Sequence, residues 1–130
     1  MNILITGAGG PAGQALIGQL SDTEHRVIGV ETQPAASSHP SVLEQLPPAS
    51  DPEMMSALLG VIDKYGVKLV IPTVSAELPV IADARASGLF RDVRVVIGEQ
   101  GPVRTAHDRY LTMQCLERAN VSVPDYGLPS

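Results

Sequence analysis

The glycine-rich stretch near the start of the chain constrains the fold more than any other sequence feature. It follows the apolar run 3–5, which is typical of a parallel strand that is covered on both faces. Gly7, Gly9 and Gly10 then form a turn in which the backbone can adopt positive φ angles and a ligand can approach closely. Pro11 suits the first position of a helix, because its missing N–H is not needed there. The stretch therefore predicts a buried strand, a tight turn and a helix.

The spacing of the glycines indicates the fold better than it indicates a ligand. Gly7, Gly10 and Gly13 form a GxxGxxG pattern, which differs from the GxGxxG fingerprint of dinucleotide-binding proteins. Free N–H groups and the positive end of the helix dipole favour an anion at such a turn. We therefore expect Gly7, Gly9, Gly10 and Gly13 to form a ligand- or phosphate-binding loop in a Rossmann-like domain. The alternative is that these glycines serve only the tight turn and the packing of the helix on the strand.

Composition excludes several classes of function. A chain of 130 residues with 44% apolar side chains fits one domain with a single core. Its net charge is −5 and it has no block of basic residues, so neither nucleic acid nor a membrane is an expected partner. The single cysteine rules out an internal disulfide, and no apolar run approaches membrane-spanning length. Because the first strand leaves no room for a signal peptide, we expect a cytoplasmic protein.

Apolar segments separated by turn signals predict a three-layer α/β domain. After the first strand and a helix over Pro11–Leu20, a second strand is expected at Arg26–Glu31 and two more at 67–71 and 93–97. The segment 32–50 has no clear period and is expected to be a connection. These segments predict a parallel sheet of about four strands in the order 3-2-1-4, with right-handed crossovers.

Local signals mark where the later helices begin and end. The Asp-Pro-Glu sequence at 51–53 is a good helix start, and Gly66 is a good helix end. Ser75 is expected to cap the next helix. Asp108 is expected to cap the last helix, and Asn120 to end it in a left-handed conformation.

Polar residues at two strand ends are candidate site residues. Glu31 ends the second strand about 20 residues beyond the glycines, where dinucleotide-binding folds hold a ribose hydroxyl. A solvated carboxylate at a strand end is the alternative. Thr73 and Glu77 follow the third strand at the carboxyl edge of the sheet, which is the functional edge of an open parallel sheet. We expect Thr73 and Glu77 to lie on the substrate side.

Longer segments of the chain resemble a known family. The second strand reads V-I-G-V-acid, the third strand and its continuation read LVIPTVSAELP, and HDRYLTMQCLERANVSVP stands near the end. With the glycine loop, these segments resemble the N-terminal, pre-ATP-grasp domain of ATP-grasp carboxylate–amine ligases, in the carbamoyl-phosphate-synthase large-subunit-like group. The most specific part is Asp108-Arg109, followed by Thr112, Leu116 and Val123-Pro124.

The resemblance implies a Rossmann-like domain over 1–120 and, at 121–130, the start of a linker to a catalytic ATP-grasp domain. It also implies that Arg109 reaches the ATP phosphates across the domain boundary, for which its planar donor fork is suited. An ion pair with Asp108 or Glu117 is the alternative role. ATP and Mg²⁺ are expected in the full-length protein, with no cofactor bound tightly to this chain alone. The implied partners are the downstream domain and a small-molecule carboxylate or amine substrate, and a homodimer is left open.

The catalytic residues of such a ligase would lie downstream of this segment. The only lysines, Lys64 and Lys68, stand near the start of the third strand, at the wrong edge for the site. We therefore expect an excised or separately encoded domain without catalytic activity of its own. In the complete ligase, the resemblance implies that ATP activates a carboxylate as an acyl phosphate, which an amine then attacks.

The alternative function is NAD(P) binding in a protein of the short-chain dehydrogenase or epimerase type, because Thr6-Gly7-Ala8-x-Gly10-x-x-Gly13 also resembles that cofactor loop. The dehydrogenase chemistry needs a tyrosine four residues before a lysine, so that the ammonium lowers the pKa of the phenol. At that distance the three tyrosines are followed by leucine, glutamine and serine. The alternative is therefore limited to cofactor binding. A structural or interaction module without a ligand is a third hypothesis.

Overall fold

The computed structural model describes residues 1–33 and 42–129, which form a parallel β-sheet with helices on both faces. The strands are β1 (Asn2–Thr6), β2 (Arg26–Glu31), β3 (Val42–Gln45), β4 (Leu69–Ile71) and β5 (Arg94–Val95). The helices are α1 (Pro11–Leu20), α2 (Met54–Tyr65), α3 (Leu78–Ala86), α4 (Gln100–His107) and α5 (Arg109–Arg118), with a 3₁₀ turn at Ser75–Glu77 before α3. No helix in these ranges is long and apolar enough to cross a membrane.

Strand β1 lies at the centre of the sheet, whose order is β3-β2-β1-β4-β5. All four neighbouring pairs are parallel, and β1 pairs with β2 along its whole length. Its side chains alternate between two apolar clusters. Leu4 belongs to a cluster with Leu58 of α2 and Ile81 of α3, whereas Ile3 belongs to a cluster with Ile17 of α1. The two clusters cover both faces of β1, as its unbroken apolar run predicts.

The predicted α/β, Rossmann-like fold class is confirmed, and several boundaries agree with the sequence. Helix α1 and strand β2 span the predicted residues. Gly66 ends α2 with a φ of 57°, and Asn120 follows α5 with a φ of 58°. The Asp108 carboxylate caps α5 by accepting a hydrogen bond from the Leu111 N–H at 3.0 Å. The predicted cap at Ser75 is wrong, because Ser75 is itself the first residue of the 3₁₀ turn and makes no capping hydrogen bond.

The number of strands and the neighbours of two of them differ from the prediction. The sheet has five strands because Val42–Gln45, in the segment expected to be a connection, forms β3. This edge strand is partly or fully exposed along its length, so it lacks the apolar run that marks the inner strands. The observed order contains the predicted sequence of numbers 3-2-1-4, but β3 is not the strand that was predicted third. That predicted strand, at 67–71, is β4 and pairs with β1. The predicted fourth strand at 93–97 is the shorter β5, which pairs with β4.

Helices α4 and α5 form a hairpin that lies outside the two apolar clusters. Neither helix contains a buried residue. The Asp83 carboxylate of α3 accepts hydrogen bonds from Gln100 Nε2 at 2.7 Å and from Arg104 Nη2 at 2.8 Å, both on α4. The Thr112 hydroxyl of α5 donates to the Thr105 carbonyl of α4 at 2.7 Å. Polar contacts thus contribute to holding the hairpin on the domain.

Candidate functional site

Two glycines at the β1–α1 junction, Gly7 in the loop and Gly13 in α1, have a packing reason to be glycine. Gly7 has a φ of +63°, and a Cβ at this position would lie 2.7 Å from Thr73 Oγ1. At Gly13, a Cβ would lie 2.1 Å from the carbonyl oxygen of Gly7, so a side chain would force α1 away from the loop. Both positions therefore require glycine whether or not the loop binds a ligand. The ligand role of the four loop glycines stays a prediction.

Three backbone N–H groups of this loop already have partners within the chain. The Ala8 N–H donates to the Val30 carbonyl at 3.2 Å, and the Gly10 N–H donates to the Gly7 carbonyl at 2.9 Å. The exposed Gly9 N–H donates to Oε2 of Glu31 at 3.0 Å. The Glu31 carboxylate thus lies where an anion would meet this amide.

A pair of threonines joins the carboxyl ends of β1 and β4. The Thr73 N–H donates to the Thr6 hydroxyl at 3.0 Å, and the Thr73 hydroxyl donates to the Thr6 carbonyl at 2.6 Å. Thr6 is fully buried, and it ends an apolar strand directly before the glycine turn. Sequence analysis missed Thr6 as a site residue. A polar residue at that point of an apolar strand is the signal that could have found it.

Glu77 is the second buried polar residue of this region, with 3% of its surface exposed. Its Oε2 has no hydrogen-bond partner among the residues that the structure describes. Burial raises the pKa of the Glu77 carboxyl, a hydrogen bond with Thr6 opposes the rise, and the nearby charge of Glu31 adds to it. The four ion pairs within the described ranges involve neither Glu31 nor Glu77.

The structure therefore brings most of the candidate residues together at the carboxyl edge of the sheet. We call this group the glycine-loop edge, and it consists of the loop Gly7–Gly13 with Glu31, Thr73 and Glu77. Thr73 is hydrogen-bonded to Thr6 and lies directly beside Gly7. The charge of Glu31 also acts on the carboxyl of Glu77. Its side-chain groups are carboxyls and hydroxyls, so its chemistry suits binding through oxygen acceptors.

Arg109 lies elsewhere, as the first residue of α5. Its side chain is exposed, and within residues 1–33 and 42–129 no ion pair or hydrogen bond joins it to the glycine-loop edge. The two acids proposed as its ion-pair partners have other contacts, since Asp108 caps α5 and Glu117 accepts a hydrogen bond from the Tyr126 hydroxyl at 2.5 Å. The Arg109 guanidinium is therefore exposed and forms no ion pair with the residues that the structure describes.

The chain itself offers no metal site in the part that the structure describes. No group of three or more histidine, cysteine, aspartate or glutamate side chains there could hold a metal ion.

Comparison with solved structures supports the fold. Glycinamide-RNase-transformylase T from Mycobacterium tuberculosis is 18% identical over 92% of this chain and 35% of its own length, with a TM-score of 0.69. The biotin carboxylase domain of a single-chain bacterial carboxylase is 17% identical over 95% of this chain and 30% of its own, with a TM-score of 0.66. No family model and no curated protein sequence matches the chain.

Dehydrogenases are also similar in structure. A GalE-like L-threonine dehydrogenase from Cupriavidus necator, in its holo form, is 20% identical over 93% of this chain and 52% of its own, with a TM-score of 0.56. The chain spans about a third of the length of the two enzymes described first. At identities of 17–20% these similarities establish a Rossmann-like fold. The function has to be argued from the residues of the site.

Proposed function

We propose that this chain is the N-terminal substrate-binding domain of an ATP-dependent carboxylate–amine ligase of the ATP-grasp class, similar to the large subunit of carbamoyl-phosphate synthase, and inactive alone. The observation that carries the proposal is the α4–α5 hairpin. It contains no buried residue, and on the first turn of a capped helix it presents Arg109, which has no ion pair within the described part of the chain. A charge placed in this way is suited to a ligand that another domain holds.

Exposed apolar side chains on and after the hairpin agree with a neighbouring domain. Leu111, Val121 and Leu128 are 42%, 49% and 70% exposed. The occupant we propose for this surface is the downstream ATP-grasp domain. A domain placed there would cover these side chains and bring its nucleotide close to Arg109.

The structural neighbours give further support of a general kind. Glycinamide-RNase-transformylase T and biotin carboxylase are ATP-grasp enzymes, and both match more than nine-tenths of this chain. The GalE-like dehydrogenase matches a similar share of the chain, 93%, with a lower TM-score of 0.56.

The proposal divides the work between two places in this chain. Arg109 would bind the ATP phosphates through its planar, bidentate donor group. The glycine-loop edge would bind one of the two small-molecule substrates, a carboxylate or an amine. Bound ATP would supply the phosphoryl group that activates the carboxylate for attack by the amine, and Mg²⁺ would neutralise charge on the phosphates.

The test uses the polypeptide that includes the following domain. Arg109→Ala should weaken binding of a non-hydrolysable ATP analogue with Mg²⁺ by about 1.5–3 kcal/mol, because a charged hydrogen bond is lost. Arg118→Ala is the matched control, since Arg118 is an exposed arginine at the other end of α5. Calorimetric titration measures both. Equal affinities for the two variants would contradict the role of Arg109, as would a following domain that binds no ATP.

NAD(P) binding is the second candidate function. The observation in its favour is that Glu31, at the end of β2, contacts the glycine loop directly. In dinucleotide-binding folds an acid at this place binds the ribose. The pyrophosphate of a dinucleotide, however, would lie next to this negative carboxylate on the loop. In the described part of the chain no cationic side chain pairs with Glu31 to neutralise its charge.

A further inference from the structure

The charge at the glycine-loop edge is opposite to that expected of a phosphate site. We propose that Glu31 is the specificity-determining residue of this edge, that it excludes phosphate groups, and that it binds the protonated primary amine of a substrate, with the buried Glu77 as a second negative group behind it. This inference rests on the proposed function, because it selects the amine from the two substrates that a carboxylate–amine ligase joins.

Exclusion of phosphate from loop residues 8–10 follows from their hydrogen bonds and from the charge of Glu31. Phosphate binding at a helix N-terminus depends on free backbone N–H groups. Here the Gly9 N–H is bonded to Glu31 at 3.0 Å, and those of Ala8 and Gly10 are bonded to backbone carbonyls. A phosphate would have to displace the Glu31 carboxylate from Gly9 and then remain next to its negative charge. Like charges at that distance repel.

Attraction of a cation follows from the charge balance. No ion pair in the described part of the chain involves Glu31 or Glu77. Glu77 is buried with Oε2 unpartnered, and a buried carboxylate without a counter-charge is unfavourable. An ammonium group bound to Glu31 would supply that counter-charge. Because Oε2 of Glu77 is buried, the ammonium would contact Glu31 and not Glu77. The negative charge of Glu77 would attract the ammonium from a distance.

The hydrogen-bonding groups also suit an ammonium, which has three donors and no acceptor. The Glu31 carboxylate accepts from the Gly9 N–H at 3.0 Å and from the Thr32 N–H and hydroxyl at 2.9 and 3.4 Å. A carboxylate has about four acceptor positions, which leaves one for an ammonium donor. The Thr73 hydroxyl donates its proton to the Thr6 carbonyl, so its oxygen is left as an acceptor. The edge thus offers acceptors where a phosphate would need donors.

The inference is tested by nuclear magnetic resonance titration of the ¹⁵N-labelled chain with glycinamide and, separately, with pyrophosphate, at constant ionic strength. In the wild-type chain, glycinamide should shift the amide signals of Gly9 and Thr32, whereas pyrophosphate should not. Glu31→Gln should weaken glycinamide binding at least about tenfold, because a charged hydrogen bond is lost, and should allow pyrophosphate to bind at Gly9. Glu24→Gln removes the same charge from an exposed position before β2 and should behave as wild type.

A second variant keeps the inference testable if Glu31→Gln does not fold, which its amide spectrum would reveal. Glu77→Gln removes the second negative charge, so it should weaken glycinamide binding. Because it leaves the contact between Glu31 and Gly9 in place, it should not allow pyrophosphate to bind. Pyrophosphate binding to the wild-type loop, or glycinamide binding that is absent from the wild type or unchanged in both variants, would overturn the inference. None of these results bears on the ATP affinity of the Arg109 variant, which tests the proposed function separately.

Discussion

The glycine-loop edge and the α4–α5 hairpin differ in what holds them in place. Glu77 of the glycine-loop edge and the adjoining Thr6 are buried, and hydrogen bonds connect the end of β1 with Thr73 after β4 and the loop with β2. The hairpin contains no buried residue and is attached to α3 through Asp83 on the surface. The difference indicates that the first region is shaped by the fold of this chain, whereas the second is the surface on which we propose that a neighbouring domain packs.

The largest effect is expected at the glycine-loop edge from Gly13→Ala. The added Cβ would lie 2.1 Å from the Gly7 carbonyl oxygen, and backbone cannot easily move aside. We expect a loss of about 3 kcal/mol or more in the free energy of unfolding, measured by urea denaturation.

Gly18→Ala is the matched control for this prediction, in the same helix. A Cβ there would meet nothing within 4 Å, so alanine should stabilise the chain by about 0.5–1 kcal/mol. Similar unfolding free energies for the Gly13 and Gly18 variants would show that the loop is not held as tightly as described.

A smaller effect with a distinct pH dependence is expected from Glu77→Gln. Burial raises the pKa of Glu77 above its ordinary value of 4.5, so folding favours the protonated carboxyl. The wild type should therefore lose stability as the pH rises from about the unfolded-state pKa through the raised folded-state value. The glutamine variant should lack this loss, so its stability relative to wild type should improve over the same pH range.

Urea denaturation at a series of pH values measures the difference between the two proteins. Glu24→Gln, at an exposed position, should follow the wild-type curve. A constant difference between the Glu77 variant and wild type across the range would mean that the Glu77 carboxyl does not titrate abnormally.

At the hairpin, Asp108→Ala should have a local effect. The lost cap on α5 should cost about 1 kcal/mol, which corresponds to roughly fivefold faster hydrogen exchange of the α5 amides. Exchange in β1 should not change, because α5 lies outside both apolar clusters. Asp125→Ala, at an exposed position after the helix, is the control. Equal acceleration in β1 and α5 would mean that hairpin and core unfold together.

The smallest effect is expected from Arg109→Ala in this chain alone. The side chain is exposed and has no ion pair among the described residues, so the unfolding free energy should change by no more than about 0.5 kcal/mol. Urea denaturation again measures the difference. A large loss of stability would identify Arg109 as a residue that holds the hairpin, rather than one that is available for a ligand.

Sequence predicted best the features that depend on neighbouring residues. The start of α1 at Pro11, the end of α2 at Gly66 and the cap at Asp108 follow from local backbone and hydrogen-bonding preferences. Strand β3 was missed because an exposed edge strand depends on pairing with β2, which its own residues do not indicate. The same limit explains why the neighbour of β4 was predicted wrongly.

Placement of the candidate site was only partly predictable for the same reason. Glu31, Thr73 and Glu77 were expected near the glycines because carboxyl ends of parallel strands share one edge. The burial of Glu77, the Thr6–Thr73 hydrogen bonds and the contact between Glu31 and Gly9 join residues that are distant in sequence. Because of these contacts we propose an amine, in place of an anion, as the ligand of this edge.

The central claim, that this Rossmann-like chain serves a ligase rather than a dehydrogenase, is tested most directly by calorimetric titration of the chain with NADH and with NADPH. A dinucleotide would need the Gly9 amide that Glu31 occupies, so we expect binding of either cofactor to be weak or absent. Micromolar binding of NADH or NADPH would contradict the account and assign the chain to cofactor binding.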